Sequence, residues 1–540
     1  MWTLLAIWAC SSGPTSKDTA SPGTASRPTT TTTQTVPSTT TPDGCHWVEP
    51  PKLVAPPSER VHLVQVLEAT SSEPGALTLS IDGVIVGQWS AATEHRVPVL
   101  ELRPDTTHTV EATLDCGGTL LSSGPLTVEV PPLEIPFPDV TLLASEPDAM
   151  APGVTLIDLG SPETYHYIAV FAPDGTPVWV YEADEKIVDA RLTPDGFIWA
   201  IAGAEILHLT RTGELLARYT PLPDEPKDVL VEGYPFHHEV FQTVDGRLFS
   251  LSRDSQTVTG VPLGYLATDG VGEQVLESPL VVELDPSTGE RVASWNLLDY
   301  LDPTRIGYQS LDVNPAGLDW GHLNGLEYHG PSDSFVASLR HQDTVIRFRS
   351  DGSVRWILAN HEGWSDAWQP LLLEPVGEPF GWPYHQHAPM LHPDDDGRLL
   401  VFDNGNYGRV TPYNPAEPKG DYSRLVEYQV NELDRTVEQT WAYRQTLTGD
   451  LYASAFGDAD YLDGDNVIGV FGFLYREGGI DNNDLGLGDK SARIIEIARD
   501  LDDQVVWDVR LNSSASVAPR GWQSHRAQRL TTLYVTETPL

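Results

Sequence analysis

At 540 residues the chain exceeds what one ordinary hydrophobic core organises, roughly 100–200 residues per domain, so a large unit plus a smaller one, or a closed repeat fold, is expected. Its 33 Lys+Arg against 77 Asp+Glu leave a formal charge of −44, a field that repels nucleic-acid phosphates and anionic lipid headgroups and argues against both as partners. Hydrophobic residues make up 40%, with 15 Trp, 19 Tyr and 13 Phe, and their coincidence with 45 Gly and 44 Pro points to an all-β chain rich in turns.

Beyond the N-terminus, no segment approaches the roughly 18–20 apolar residues of a membrane span. The opening, MWTLLAIWAC, resembles a bacterial lipoprotein signal over residues 1–10, with Ile7-Trp8-Ala9-Cys10 as lipobox and Cys10 as the acylated residue. It departs from that pattern in lacking a basic start and in its shortness. The expectation is a protein at the periplasmic or cell-surface side of a bacterial membrane, touching it only through a lipid anchor. Between Ser11 and Gly44, 26 of 34 residues are Ser, Thr, Pro or Gly, the composition of a tether or of a plain disordered tail. Cys45 and Cys116 are then left as a disulfide in an oxidising compartment or as two free thiols.

Residues 45–135 carry short alternating runs, such as Leu77-Thr78-Leu79-Ser80-Ile81, separated by turn signals including Asp82-Gly83 and Pro104-Asp105. They read as a small β-sandwich, closed by a linker containing Pro131, Pro132, Pro136 and Pro138. From residue 140 to 540 one pattern recurs: an apolar strand, a tight polar turn, and a second strand with Val and an aromatic. Copies occupy 165–181, 205–219, 280–295, 344–356, 424–441 and 493–507. Six copies predict a six-bladed β-propeller, a β-helix being the alternative with shorter and more uniform repeats. Most copies follow another hairpin, at 190–201, 238–253, 322–340 and 387–405. The run HRAQRLTTLYVTE (525–537) has no following partner and is expected to close the ring near residues 154–181.

Counting outward from the turns of these hairpins sets His322 opposite Arg340, His238 opposite Arg253 and His387 opposite Asp403. Three consecutive blades therefore start their first strand, the one lining the central channel, with a histidine. Arg beside His in so acidic a chain makes a local anion trap. A metal on the three histidines is not expected, because the guanidinium groups would repel it and no carboxylate pairs with all three. The acidic turns 394–397, 463–465 and 480–489 lack the full spacing of a calcium loop and read as turns.

Longer motifs sharpen this. DWGHLNGLEYHGPSDSFVASLRHQDTVIRFRSDGSVRWILANHEGW (319–364), YHQHAPM (384–390), FDNGN (402–406) and YSRLVEYQVNELDRTVEQTWAY (422–443) resemble the bacterial PAPS-independent aryl-sulfate sulfotransferases, six-bladed propellers with an N-terminal β-sandwich. The likeness runs from about residue 140 to the end and, more weakly, through the sandwich. It implies an enzyme that moves a sulfuryl group from a phenolic sulfate ester to a phenol by a ping-pong route. It further implies that His387 becomes the sulfohistidine, that His238, His322, Asn324 and Arg340 contact the sulfuryl oxygens, and that no cofactor is needed. His238 is chosen over His237 by its distance to Gly246. Asp403 would orient His387 and Arg253 would support the site. The insertion between Trp364 and His387 lacks the cysteine pair some members carry there, which bears on acceptor choice; a homodimer is left open. No Walker or dinucleotide fingerprint occurs. Two readings from other classes stand beside this one: a non-catalytic propeller lipoprotein that binds anionic ligands or a protein partner, and a metal-dependent propeller hydrolase.

Overall fold

A computed structural model describes residues 44–161, 165–231, 235–406, 422–444, 451–476, 491–512 and 521–535. Cys10 with the expected signal, the expected tether up to residue 43 and the acidic segment 480–489 lie outside the described residues. The described chain is all-β, with short 3-10 turns between strands, and no helix is long and apolar enough to cross a membrane.

The first six-stranded sheet is built on one long hairpin, Gln65–Ile81 with Val84–Val99. Its tip is the expected Asp82-Gly83 turn, both residues in the left-handed region (φ 52° and 82°), the geometry whose twist matches two flanking strands. The first half of Gln65–Ile81 pairs with Trp47–Val54 and the second half with Thr106–Asp115. The change of partner falls at a bulge around Gly75, where a Cβ would sit 2.6 Å from Leu114 Cγ and 2.9 Å from Cys116 Sγ. Leu67, Leu77, Leu79, Trp89, Val110 and Leu114 fill the space between the two halves. A disulfide joins Cys45 to Cys116 across 71 residues.

Six further sheets follow in chain order, each a four-stranded antiparallel meander, all but the fourth with edge additions. The six sequence repeats are the third and fourth strands of successive sheets, and the final strand Ala527–Leu530 pairs with Val154–Gly160, closing a propeller-like ring as the sequence led one to expect. An aromatic at or near the end of each repeat has a definite job. Trp179 Nε1 donates to Arg211 O (2.8 Å), the Tyr219 hydroxyl to Pro286 O, and Trp295 Nε1 to Ser350 O (2.8 Å). Trp356 Nε1 donates to Glu432 Oε1 (3.1 Å), Trp441 Nε1 to Asp503 Oδ1 (2.8 Å), and Trp507 Nε1 to Pro173 O (2.8 Å). Each outer strand thus hydrogen-bonds the outer turn of the next sheet, and the sixth returns to the first. The N-terminal unit is tied to the ring by Val61–His62, which pairs with Pro177–Glu182, and by Leu100 N donating to the Tyr534 hydroxyl (2.6 Å).

Two register expectations fail. Ladder pairing in the third of the ring's sheets sets His237, not His238, opposite Leu251, and a bulge follows before Val240 pairs with Ser250. Arg253 has run past it into a long arm, Leu248–Pro262 with Val271–Leu284, where it lies opposite Pro279 and pairs with Glu277 (3.3 Å). In the fifth sheet a bulge between His387 and Met390 sets His387 opposite Phe402, so Asp403 falls elsewhere. The third expectation holds: Leu323 pairs with Leu339, and Arg340 N donates to His322 O (3.1 Å).

Candidate active site

The innermost strands of the six sheets are Ile187–Leu192, His237–Gln242, Leu323–His329, His387–His392, Asp458–Tyr461 and Ala527–Leu530. At or just before the start of each stands one residue: Lys186, His238, His322, His387, Phe456 and His525. Their side chains meet around the axis. Ring centroids lie 5.2 Å apart for His238 and His322, 5.3 Å for His238 and His525, 5.8 Å for His387 and His525, and 5.3 Å for Phe456 and His525. Lys186 Nζ lies 4.2 Å from the Phe456 centroid.

Backbone strain sets this arrangement. His238 (φ 62°), His322 (48°), His385 (55°), Ala388 (47°) and Phe456 (59°) are all left-handed without being glycine, which is unfavourable and persists only where the surroundings fix it. The bulges at His237/Val240, Leu323/Gly325 and His387/Met390 recur at the same point of three sheets. They release the first residues of each inner strand from the ladder.

His387 is 2% exposed, and its Nδ1 lies 2.6 Å from Asn404 Oδ1. Asn404 Nδ2 donates to Ala453 O (2.8 Å) and Phe456 O (2.7 Å), so its amide oxygen must face the imidazole and can only accept. His387 therefore carries its proton on Nδ1 and leaves Nε2 with a lone pair. Burial, then the charge of Arg340, holds the ring well below the usual imidazole range despite the Asn404 bond, so it is a free base. The orienting partner is Asn404, not Asp403: Asp403 is fully buried in an ion pair with Arg424 (2.7 Å) and accepts from the Tyr384 and Gly405 amides.

His322 donates from Nδ1 to Asp319 Oδ2 (2.7 Å), a carboxylate partner that an imidazole needs if it is to hold a second proton in passing. Burial would raise Asp319, yet His322, His341 and Arg340 overbalance it and keep it below the usual carboxylate range. Arg340 sits at the start of a 3-10 turn, its Nη1 donating to Gln309 Oε1 (2.8 Å) and His341 Nε2 (2.9 Å), its Nη2 to Ser454 O (3.2 Å). His341 can accept there because its Nδ1 donates to Asp319 O (2.6 Å). Asn324 spends one amide hydrogen on Gln386 O (2.9 Å), bracing the residue before His387, and its Oδ1 meets no protein donor among the described residues. His238 shares a hydrogen bond with His237 (2.9 Å between the two Nδ1 atoms), and burial first, then neighbouring imidazoles, keeps it neutral.

The structure thus gathers His238, His322 and His387 in one ring, with Arg340 and Asn324 against it, and leaves Arg253 and Asp403 in other ion pairs. The counting of strands missed His525, Asn404, Asp319 and His341. Asp319, His322 and His341 bring one ligand atom each within 4.8 Å of one another, but both nitrogens of His341 are engaged, one of them by a guanidinium, so a cation would have to break those bonds. Beneath the ring, Arg526 joins Asp458 (3.0 Å), Glu239 (2.6 Å) and Asn324 O (3.0 Å). This layer borders an acidic cavity of about 880 Å³ at the far end of the inner strands, lined by Glu239, Glu327, Asp458 and Asp460 with Arg191.

The family model for arylsulfotransferases (ASST) matches residues 139–518. Two curated relatives, the arylsulfate sulfotransferases AssT of Lelliottia amnigena and of Escherichia coli O6:H1, are each 28% identical to the chain, over 335 and 333 residues. Each match covers 53% of this chain and 52% of the relative, so the chain spans about half the length of the curated relatives it matches. Among solved structures, TolB from Acinetobacter baumannii aligns with TM-score 0.35 and 12% identity over 79% of this chain and 80% of that one.

Proposed function

Because the chain belongs to the arylsulfotransferase family, we propose that it moves a sulfuryl group from a phenolic sulfate ester to a phenol, through a sulfohistidine at His387. The observation that carries this reading is the buried, free-base imidazole whose Nδ1–H is held by Asn404, leaving Nε2 as the nucleophile.

In the first half-reaction the Nε2 lone pair attacks sulfur, an N–S bond forms, and the bond from sulfur to the aryl oxygen breaks. The departing phenolate takes a proton from the imidazolium of His322, whose carboxylate partner Asp319 stabilises that charged form. In the second half a phenol returns a proton to His322, its oxygen attacks sulfur, and the N–S bond breaks to regenerate His387. Little else is asked of the protein than positioning and charge stabilisation on three oxygens. Arg340, fixed by Gln309, His341 and Ser454, supplies the latter, and loss of one such fixed donor typically costs about 10²–10³ in rate. His238, its ring 5.2 Å from that of His322, supplies a neutral donor. Beyond donor and acceptor, each of these steps is assigned to side chains of the protein. The Cys45–Cys116 disulfide suits an oxidising compartment, which supports placing the enzyme outside the cytoplasm with Cys10 as its lipid-bearing residue.

The test is transfer from 4-nitrophenyl sulfate to a simple phenol by the detergent-solubilised chain in EDTA, beside His387→Ala. Acceptor-dependent nitrophenol release that vanishes in the variant is the expected result. No release with any phenol overturns the reading in favour of a binding protein, and release only after metal is added overturns it in favour of a hydrolase.

A further inference from the structure

His525 stands at the same blade position as His238, His322 and His387, yet it arrives on the ring-closing strand. It is 1% exposed, and neither ring nitrogen meets a protein donor or acceptor among the described residues. A buried polar atom left unpaired is costly, and two on one ring call for a reason. Relaxation does not remove the problem, because the backbone there is pinned. The Asp158 carboxylate accepts from the amides of His525 (2.9 Å to each oxygen) and Arg526 (2.6 Å), and the next side chain is locked to Asp458 and Glu239. The ring is thus held among His238, His387 and Phe456 with its hydrogen-bonding capacity unspent.

We propose that His525 is a fourth imidazole of the anion site and donates a hydrogen bond to the sulfuryl group, or to any tetrahedral oxyanion, held over His387. This rests on the sulfuryl-transfer reading for the identity of the natural group, but not for the contact itself. Burial, then the charge of Arg526, keeps the ring uncharged, so it offers one N–H and one lone pair, not a cation. In a site that already holds Arg340, such a donor adds direction without further charge.

The experiment is calorimetric binding of inorganic sulfate to the whole chain, for wild type, His525→Phe and His525→Gln, with thermal melts in sulfate-free buffer and turnover of 4-nitrophenyl sulfate. Phenylalanine removes two unmet polar atoms at similar volume, so that variant should melt at or above the wild-type temperature while binding sulfate at least tenfold more weakly. Glutamine keeps an N–H and should recover most of the affinity. Sulfate binding within twofold of wild type in His525→Phe overturns the proposal, as does a wild type that binds no sulfate at millimolar concentration. A lower melting temperature with unchanged affinity shows a structural role and also overturns it. Should His525→Phe fail to fold, His525→Ala carries the same comparison. If wild type shows the binding pattern but no turnover, the His525 contact stands and only the transfer reading falls.

Discussion

Replacing Asn404 by leucine isolates the feature on which the proposed chemistry depends. Three hydrogen bonds go at once: to His387 Nδ1 (2.6 Å), Ala453 O (2.8 Å) and Phe456 O (2.7 Å). At about 1 kcal/mol each, the fold should lose about 3 kcal/mol. For the reaction, the bond to Nδ1–H is what separates the productive tautomer from the other, and about 1.4 kcal/mol of preference is a factor of about ten. Freedom of the ring to turn away from sulfur should cost about another factor of ten. Asn404→Leu is therefore expected to lower kcat about 10²-fold with little change in KM, read by stopped-flow release of nitrophenol in the first turnover. Asn404→Asp adds a pH signature. In wild type His387 is depressed well below the usual range, so it is deprotonated throughout pH 6–8 and its limb of the rate profile is flat there. A carboxylate against Nδ1 favours the protonated ring and raises that value, so the variant should lose rate as pH falls and regain it as pH rises. A folded Asn404→Leu protein within threefold of wild-type kcat, or a flat profile in Asn404→Asp, would refute this account of the nucleophile.

Two further perturbations probe the supports. His341→Leu removes the acceptor that steadies Arg340 and should raise the KM for a sulfate ester about tenfold more than it lowers kcat, with His341→Gln restoring most of the loss. Steady-state kinetics on the three proteins decides it, and equal effects on KM and kcat would sink the positioning role. Reduction of the Cys45–Cys116 bond, or Cys116→Ser, opens a 71-residue loop and should cost the N-terminal unit about 4 kcal/mol in denaturant unfolding while leaving transfer by the ring intact.

What the sequence displayed and what it hid follow from one distinction. Outer strand pairs each carry one register shift at the same point beside the turn, so the irregularity repeats with the pattern, and their turns and aromatics recur visibly and lead to the ring. Inner strands begin with bulges and left-handed residues such as His238, His322 and Ala388, for which side-chain identity gives no warning. Counting from the turn reached His322 and Arg340 because the bulge at Leu323/Gly325 brings the outer pair back onto a centre at Pro331, and failed for Arg253 and Asp403, where the bulges carry the pairing off the counted centre. Asn404 follows the end of its strand at Asp403, beyond any residue that ladder counting can pair. His525 was hidden differently: its strand joins a sheet some 370 residues away and has no hairpin turn of its own from which to count. Asp319 acts through its carboxylate on His322 and His341 through main-chain and guanidinium contacts, none of which a strand register encodes.

The closing strand bears on when activity can exist. A linear array of repeats could support a site as soon as the local units have formed, but here one imidazole of the ring and the innermost strand of the first sheet come from residues 525–530, joined to a sheet made some 370 residues earlier. The six aromatic latches run in a circle as well, so the first turn receives its bond from Trp507 only after the last sheet is in place. A chain still emerging, or cut short of residue 525, holds His238, His322 and His387 on an open arc that lacks His525 and the closing pair. The proposed transfer is thereby reserved for a molecule whose closing strand has docked on its first sheet.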